Sequence, residues 1–252
     1  MTKLGFLEFH QNKKIRKILF PEHSFIKKLT KIKGNEISLS VKFDLNQGTL
    51  NKSRGLFFIS EHIFLRNSYS NIISKQTSNV VYKKHVFDSL SITPVFKCFW
   101  YNQKTTYCID FGTGGGFPGL LLSIFFPEIF ISLIDSIQRK INFHNGIFDI
   151  LELQNCNSIC IRGENLSNSI LYRKKYDIVT SRAVAELVDL LKIFLCISNA
   201  QGKFVAMKKI SGCEKEIRDT SIYFSKFNLK LKCLVKIDRK NYGKVLILYK
   251  KL

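Results

Sequence analysis

An α/β fold built on a mostly parallel sheet is predicted by three features of the 252-residue chain. From about residue 96 onward, short apolar runs alternate with segments of helical spacing. A glycine-rich loop joins the first of those runs to the first of those helices. Two closing apolar runs lie too close together for a crossover helix, so they form an antiparallel hairpin at one edge of the sheet.

In chain order, the spacing predicts a strand at Tyr107–Phe111, a helix at Gly119–Phe126, a strand at Phe130–Asp135 and a helix at Gln138–Leu151. Strands follow at Ser158–Ile161 and Tyr176–Ser181, a helix at Leu187–Leu195, a strand at Gly202–Met207 and a helix at Glu214–Phe224. Leu229–Ile237 and Lys244–Tyr249, with a turn through Asn241–Gly243, complete a seven-stranded set. This βαβ rhythm is Rossmann-like and assigns residues 96–252 to one domain. Residues 1–95 lack a glycine-rich turn cluster. Ile15–Leu29 and Leu56–Phe64 space their apolar residues at three and four, so a helical extension is expected there, with Gly34–Gly48 open to either reading.

Composition narrows the functional classes. With 45% apolar residues, 23% charged residues and four prolines, the chain has the material for a packed core, which excludes a disordered tail. Seven cysteines, odd in number and without a Cys-x-x-Cys pair, argue against a disulfide framework or a zinc ribbon and for a reducing compartment. No metal site is expected. Residues Met1–Lys14 lack the apolar core of a signal peptide, and the greasy stretch Leu120–Ile134 is broken by Pro127 and Glu128, so neither export nor a membrane partner is expected.

The formal charge is +21, with 40 Lys and Arg against 19 Asp and Glu, and its distribution is uneven. Residues 1–100 carry 17 basic and 6 acidic side chains, residues 101–200 carry 9 and 9, and residues 201–252 carry 14 and 4. Abundant Lys, Asn, Ile and Phe suit an AT-rich genome, but drift alone would spread the charge evenly. A neutral centre between basic flanks fits a small-molecule site held within a surface that grips a polyanion such as nucleic acid.

The most informative stretch is Asp110-Phe-Gly112-Thr-Gly114-Gly-Gly116-Phe-Pro-Gly119. Glycines 112, 114 and 116 let the backbone turn tightly and approach a ligand at the strand-end crevice. Asp135 ends the next strand, 23 residues after Gly112, where a ribose-binding carboxylate is expected; alternatively it only caps the helix that follows. Asp110 is expected to support the loop from below by accepting backbone hydrogen bonds. The glycine pattern departs from the dinucleotide Gly-x-Gly-x-x-Gly and the terminal hairpin is unlike a dehydrogenase, which favours S-adenosylmethionine over NAD as the ligand.

The run from Asp110 to Phe143 resembles the glycine-loop region of the RsmG (GidB) family of bacterial 16S ribosomal RNA guanine-N7 methyltransferases. Upstream, His85-Val-Phe-Asp88-Ser89 is similar to that family's His-x-x-Asp-Ser block, with Asn71 at the matching distance before it. Downstream, Ser181-Arg182-Ala183 and Met207-Lys208 are similar to its Ser-Arg-Ala and Leu-Lys-Gly blocks. The four blocks cover roughly residues 69–209; the first 60 residues are longer than the family's usual start, and Lys209 stands where it has glycine.

The resemblance implies a class I S-adenosylmethionine-dependent methyltransferase acting on small-subunit ribosomal RNA, in a bacterial cytoplasm or an organelle such as a plastid. It carries cofactor contacts onto Gly112, Phe117, Gly163, Glu164 and Arg182. Arg182 suits either the methionine carboxylate or an RNA phosphate, or else an ion pair with Asp110 or Glu186. Lys208 reads equally as a solvated strand-end charge or an RNA contact. His85 and Asp88, three apart, share a helical face and read as packed, hydrogen-bonded residues rather than catalysts. Guanine N7 offers an in-plane lone pair, so no catalytic base is required. The amino-group methyltransferase loop (Asp/Asn)-Pro-Pro-(Tyr/Phe) is absent, the prolines being at 21, 94, 118 and 127, and neither Cys196 nor Cys213 sits in the Pro-Cys context of a pyrimidine-C5 enzyme. Methylation of another RNA and a non-catalytic ribosome-assembly factor are the rival readings.

Overall fold

The computed structural model describes residues 106–182, 184–209, 213–227 and 229–236, the segments 36–38, 85–90 and 244–250, and single positions between 55 and 96. The expected helix Ile15–Leu29, most of Leu56–Phe64, Asn71 and the turn at Asn241–Gly243 lie outside these residues.

Eight strands form one sheet: β1 (Glu36–Ser38), β2 (Thr106–Phe111), β3 (Ile129–Asp135), β4 (Cys156–Cys160), β5 (Tyr176–Arg182), β6 (Ser198–Lys208), β7 (Leu229–Lys236) and β8 (Lys244–Lys250), in the spatial order β1-β7-β8-β6-β5-β2-β3-β4. The pairs β2–β3, β3–β4, β2–β5 and β5–β6 are parallel. β8 runs antiparallel to both β6 and β7. The expected hairpin therefore forms, but it does not end the sheet, because β1 adds a short parallel strand outside β7. That eighth strand, three residues within the ambiguous Gly34–Gly48, is too short to show a period of its own.

The helices are α1 (Phe87–Leu90), α2 (Gly119–Phe125), α3 (Gln138–Leu151), α4 (Gly163–Asn168), α5 (Leu187–Ile197), α6 (Cys213–Asp219) and α7 (Ser221–Lys226). They cover both faces of the sheet, as parallel strands joined by helical crossovers require. Alternate strand residues feed two apolar clusters, and the period of two is visible in β2 and β6. Cys108, Val205 and Met207 join one cluster with Leu120–Leu122 of α2 and Phe143 and Ile147 of α3. Ile109, Phe204 and Ala206 join the other with Leu166 of α4 and Leu187, Leu190, Leu191 and Phe194 of α5. The first cluster also buries Ile59, Ile72, Val86, Leu90, Ile92 and Phe96, so residues on both sides of the expected boundary at 95/96 share one core.

Among the described residues no helix is long and apolar enough to cross a membrane. No group of three or more His, Cys, Asp or Glu side chains among them is placed to hold a metal.

The connection into β3 is braced by Asn155, just before β4. Its Nδ2 donates toward the carbonyls of Ser123, Phe126 and Ile129 at 3.0, 3.1 and 3.0 Å. Asn155→Ala strips three carbonyls of that donor and should cost about 1–2 kcal/mol in urea unfolding; a loss below about 0.3 kcal/mol would show that water replaces the amide without penalty.

Candidate functional site

Strand order reverses between β2 and β5, and the carboxyl ends of the strands on either side of such a point open a crevice. Here it is a cleft of about 890 Å³, lined by Gly112, Gly114, Phe117, Asp135, Gly163, Glu164 and Arg182, together with His85. The structure thus brings together the cofactor residues expected from the sequence. Gly116, also expected there, turns the same loop with φ +91°.

The loop is wound through positive φ at Gly112 (+69°) and Gly114 (+60°), a region costly for residues bearing a Cβ. At Gly112 a Cβ would also fall 2.5 Å from Cγ2 of Val184. At Gly114 a Cβ would meet nothing within 4 Å, so that side of the loop faces open space in the cleft.

Two carboxylates hold this loop. Asp110, fully buried at the end of β2, accepts the Gly119 N–H (2.8 Å) on Oδ2 and the Thr180 hydroxyl (3.0 Å) on Oδ1, as its expected supporting role requires. Burial raises its pKa, while the surrounding donors and the Arg182 charge pull the other way. Asp135, at the end of β3, accepts the Gly114 N–H (3.0 Å) and the Lys140 ammonium (3.0 Å) on Oδ2, and the Ile137 N–H (3.0 Å) on Oδ1. It therefore tethers the loop and, through the Ile137 N–H, braces the entry to α3 while still lining the cleft.

The carbonyl of Gly114 is held as well, by a residue the sequence reading missed. His144 of α3 is fully buried and its Nε2 lies 2.9 Å from Gly114 O. A carbonyl only accepts, so Nε2 carries the hydrogen and Nδ1 is a bare acceptor, without a partner among the described residues. Burial lowers the imidazole pKa to about 4. The signal was present: His144 lies three residues from both Ile141 and Ile147, on the apolar stripe of α3.

On the opposite wall Arg182, where β5 ends, donates through Nη1 to Asp88 (3.1 Å) and through Nη2 to Nδ1 of His85 (2.6 Å). Its guanidinium lies 5.4 Å from the Phe117 ring centroid, and His85 stacks on the same ring at 5.3 Å. His85 and Asp88 are thus the hydrogen-bonded residues expected, and Asp88 takes the ion pair considered for Asp110 or Glu186. Burial raises the Asp88 pKa, with Arg182 opposing. Lys208 is not a solvated charge: its side chain is 9% exposed, its ammonium lies 2.7 Å from Glu216, and it also donates to Ala185 O. Glu216 in turn accepts the Leu187 N–H (2.9 Å) at the start of α5, so Lys208 is committed to tying β6 to α5 and α6.

The depressed His144 pKa sets a pH dependence. The fold favours the neutral imidazole, so its contribution is present above about pH 6.5 and is lost as pH falls toward 4, roughly 3 kcal/mol in total. The raised carboxyls of Asp88 and Asp110 act in the opposite sense, so the comparison with His144→Gln isolates the imidazole. Urea titrations between pH 4 and 7 should show wild type losing stability more steeply than the variant; parallel curves would contradict the assignment.

Residues 58–241 match the family model described as GidB, rRNA small subunit methyltransferase G. A curated relative, Ribosomal RNA small subunit methyltransferase G of Lysinibacillus sphaericus (strain C3-41), is 36% identical over 166 residues, covering 66% of this chain and 68% of the relative. The protein of the same name from Staphylococcus aureus (strain JH9) is 37% identical over 159 residues, covering 63% and 64%. The matched region thus spans about two thirds of these relatives' length. Among solved structures, a SAM dependent methyltransferase from Aquifex aeolicus superposes with a TM-score of 0.51 at 14% identity, covering 72% of this chain and 97% of that one. A mutant of MtNAS in complex with S-adenosylmethionine gives 0.52 at 10% identity, covering 81% and 78%. These likenesses speak for the fold alone, whereas the family match takes in most of the chain: it belongs to the rRNA small subunit methyltransferase G family.

Proposed function

We propose that the protein transfers a methyl group from S-adenosylmethionine to N7 of a guanine in small-subunit ribosomal RNA. The observation that carries this reading is the strand-end cleft, in which a glycine loop of positive φ leaves the Gly114 side open to a ligand while Asp135 faces the same space.

The residues present fit the cofactor. The cleft is of the size that takes a small nucleoside ligand. Gly114 has its N–H on Asp135 and its carbonyl on His144, so what it offers a ligand is close approach rather than a free donor. Asp135 accepts two hydrogen bonds on Oδ2 but only one on Oδ1, leaving Oδ1 able to accept one from a ribose hydroxyl. Gly163 and the exposed Glu164 open α4 beside this position and are suited to the adenine edge. Asp88 and His85 hold Arg182 at the far wall, where its guanidinium suits a carboxylate. Phe117 packs against both His85 and Arg182.

When bound, the cofactor supplies an electrophilic methyl group on a sulfonium. N7 of guanine has its lone pair in the ring plane and no proton to lose, so no side chain is needed as a base. The protein's contribution is to orient both partners in line and to exclude water. A ribosome-assembly factor without catalysis is the outcome that a failed transfer assay would favour.

Incubation with radiolabelled S-adenosylmethionine and unmodified small-subunit ribosomal RNA, followed by cleavage specific for N7-methylguanosine, should map one guanine; a label elsewhere than N7, or no label, would overturn the reading. Gly114→Val places a β-branched side chain at φ +60° in the cleft, and should raise the S-adenosylmethionine Kd by at least about 100-fold in calorimetry while circular dichroism keeps its native shape. A Kd within about threefold of wild type would remove the loop from the site.

A further inference from the structure

The basic side chains around the cleft fall into two groups. Lys140 is 3.0 Å from Asp135, Arg182 is 3.1 Å from Asp88, and Lys208, behind the cleft, is 2.7 Å from Glu216. Arg139 and Arg162 also line the cleft and are exposed, yet neither forms an ion pair or hydrogen bond among the described residues, including with the neighbouring Glu164. Among the described residues lining the cleft, the positive charge left uncompensated is therefore theirs.

The fold brings these two arginines to the same edge of the cleft. β3 and β4 are parallel neighbours, with Asp135 opposite Cys160, so Arg139 and Arg162 follow the carboxyl ends of adjacent strands. The Ile161 N–H donates to Asp135 O at 3.0 Å, which pins the segment carrying Arg162 beside the start of α3. Arg139 stands in the first turn of α3, which contains no acidic residue, where the helix dipole disfavours a cation. Asp135 offsets Lys140 there, but nothing described offsets Arg139. A bound anion would remove this cost.

The cofactor is not that anion. Its sulfonium and ammonium are positive, and its one carboxylate suits Arg182 across the cleft. We infer that Arg139 and Arg162 form a rim that grips backbone phosphates of the RNA substrate beside the site of methyl transfer. This rests on the RNA-methyltransferase reading and moves the phosphate contacts from Lys208 and Arg182, which are engaged internally, to these two side chains. Phosphate contacts of this kind fix register rather than sequence, so the pair positions the RNA without selecting the base.

The test uses the full chain and in vitro-transcribed small-subunit ribosomal RNA. RNA affinity is measured by filter binding across a salt series, and S-adenosylmethionine affinity by calorimetry, for wild type, the R139Q/R162Q double variant and the charge-keeping R139K/R162K. The glutamine variant should lose about tenfold or more in RNA affinity, and its salt slope should shrink by about 1.4 for two phosphates on single-stranded RNA. The lysine variant should retain most binding, and cofactor affinity should stay within about twofold in both. Unchanged RNA affinity and slope in the glutamine variant would overturn the inference, as would a parallel loss of cofactor affinity. A wild-type protein that binds no RNA would overturn it together with the reading it rests on. Wild-type RNA binding that falls as described, without methyl transfer, would uphold the rim and overturn only the methylation reading.

Discussion

The cleft depends on a single constraint: a loop of positive-φ glycines has to be held in one conformation between the end of a parallel strand and the start of a helix. Two carboxylates at the ends of neighbouring strands do this. Asp110 anchors the far side of the loop through the Gly119 N–H, and Asp135 anchors its apex through the Gly114 N–H. His144 completes the arrangement from below by holding the Gly114 carbonyl. With both backbone groups of Gly114 engaged by side chains, the loop is shaped before a ligand arrives, so little ordering entropy is left to lose on binding.

The same logic places the second wall. Arg182 leaves β5 next to the loop, and its orientation is set by Asp88 and His85, 94 and 97 residues earlier in the chain. Those residues belong to a segment whose Val86 and Leu90 are buried in the same apolar cluster as Cys108 of β2. Packing upstream of the sheet and polar geometry at the cleft are in this way one structure, and a change in the first would be felt in the second. The internal pairing of Lys140, Arg182 and Lys208 also shows why net charge alone is a poor map of a binding surface. What a polyanion meets is the charge left after pairing, and among the described residues lining the cleft that resides on Arg139 and Arg162.

Much of this was legible in the sequence because it is local. Strand and helix periods are properties of a few consecutive residues, and the strands from β2 to β8 fall where alternating apolar runs placed them. The glycine loop and Asp135 were legible because a tight turn after a strand demands particular residue types. The sequence allows Asp135 to be a ribose contact or a helix cap; the structure shows a task outside both readings, the Gly114 tether, which depends on β3 lying against β2. What escaped was of two kinds. The pairing of Arg182 with Asp88, and of Lys208 with Glu216, depends on which distant segments the fold brings together. β1 is stabilised by its partner β7 and not by a pattern of its own. His144 is a different case: its place on the apolar face of α3 could be read from the spacing, but a histidine there is chemically ambiguous until its acceptor is known.

A crystal structure of the protein grown with S-adenosylmethionine tests most directly whether the loop is built for its ligand in advance. The ligand should lie against the open side of Gly114, with a ribose hydroxyl within hydrogen-bond distance of Asp135 and the bonds from Gly114 to Asp135 and His144 still in place. Ligand bound away from the β2 and β5 strand ends, or a glycine loop that abandons Asp135 and His144 to admit it, would contradict the claim that the protein builds this site in advance.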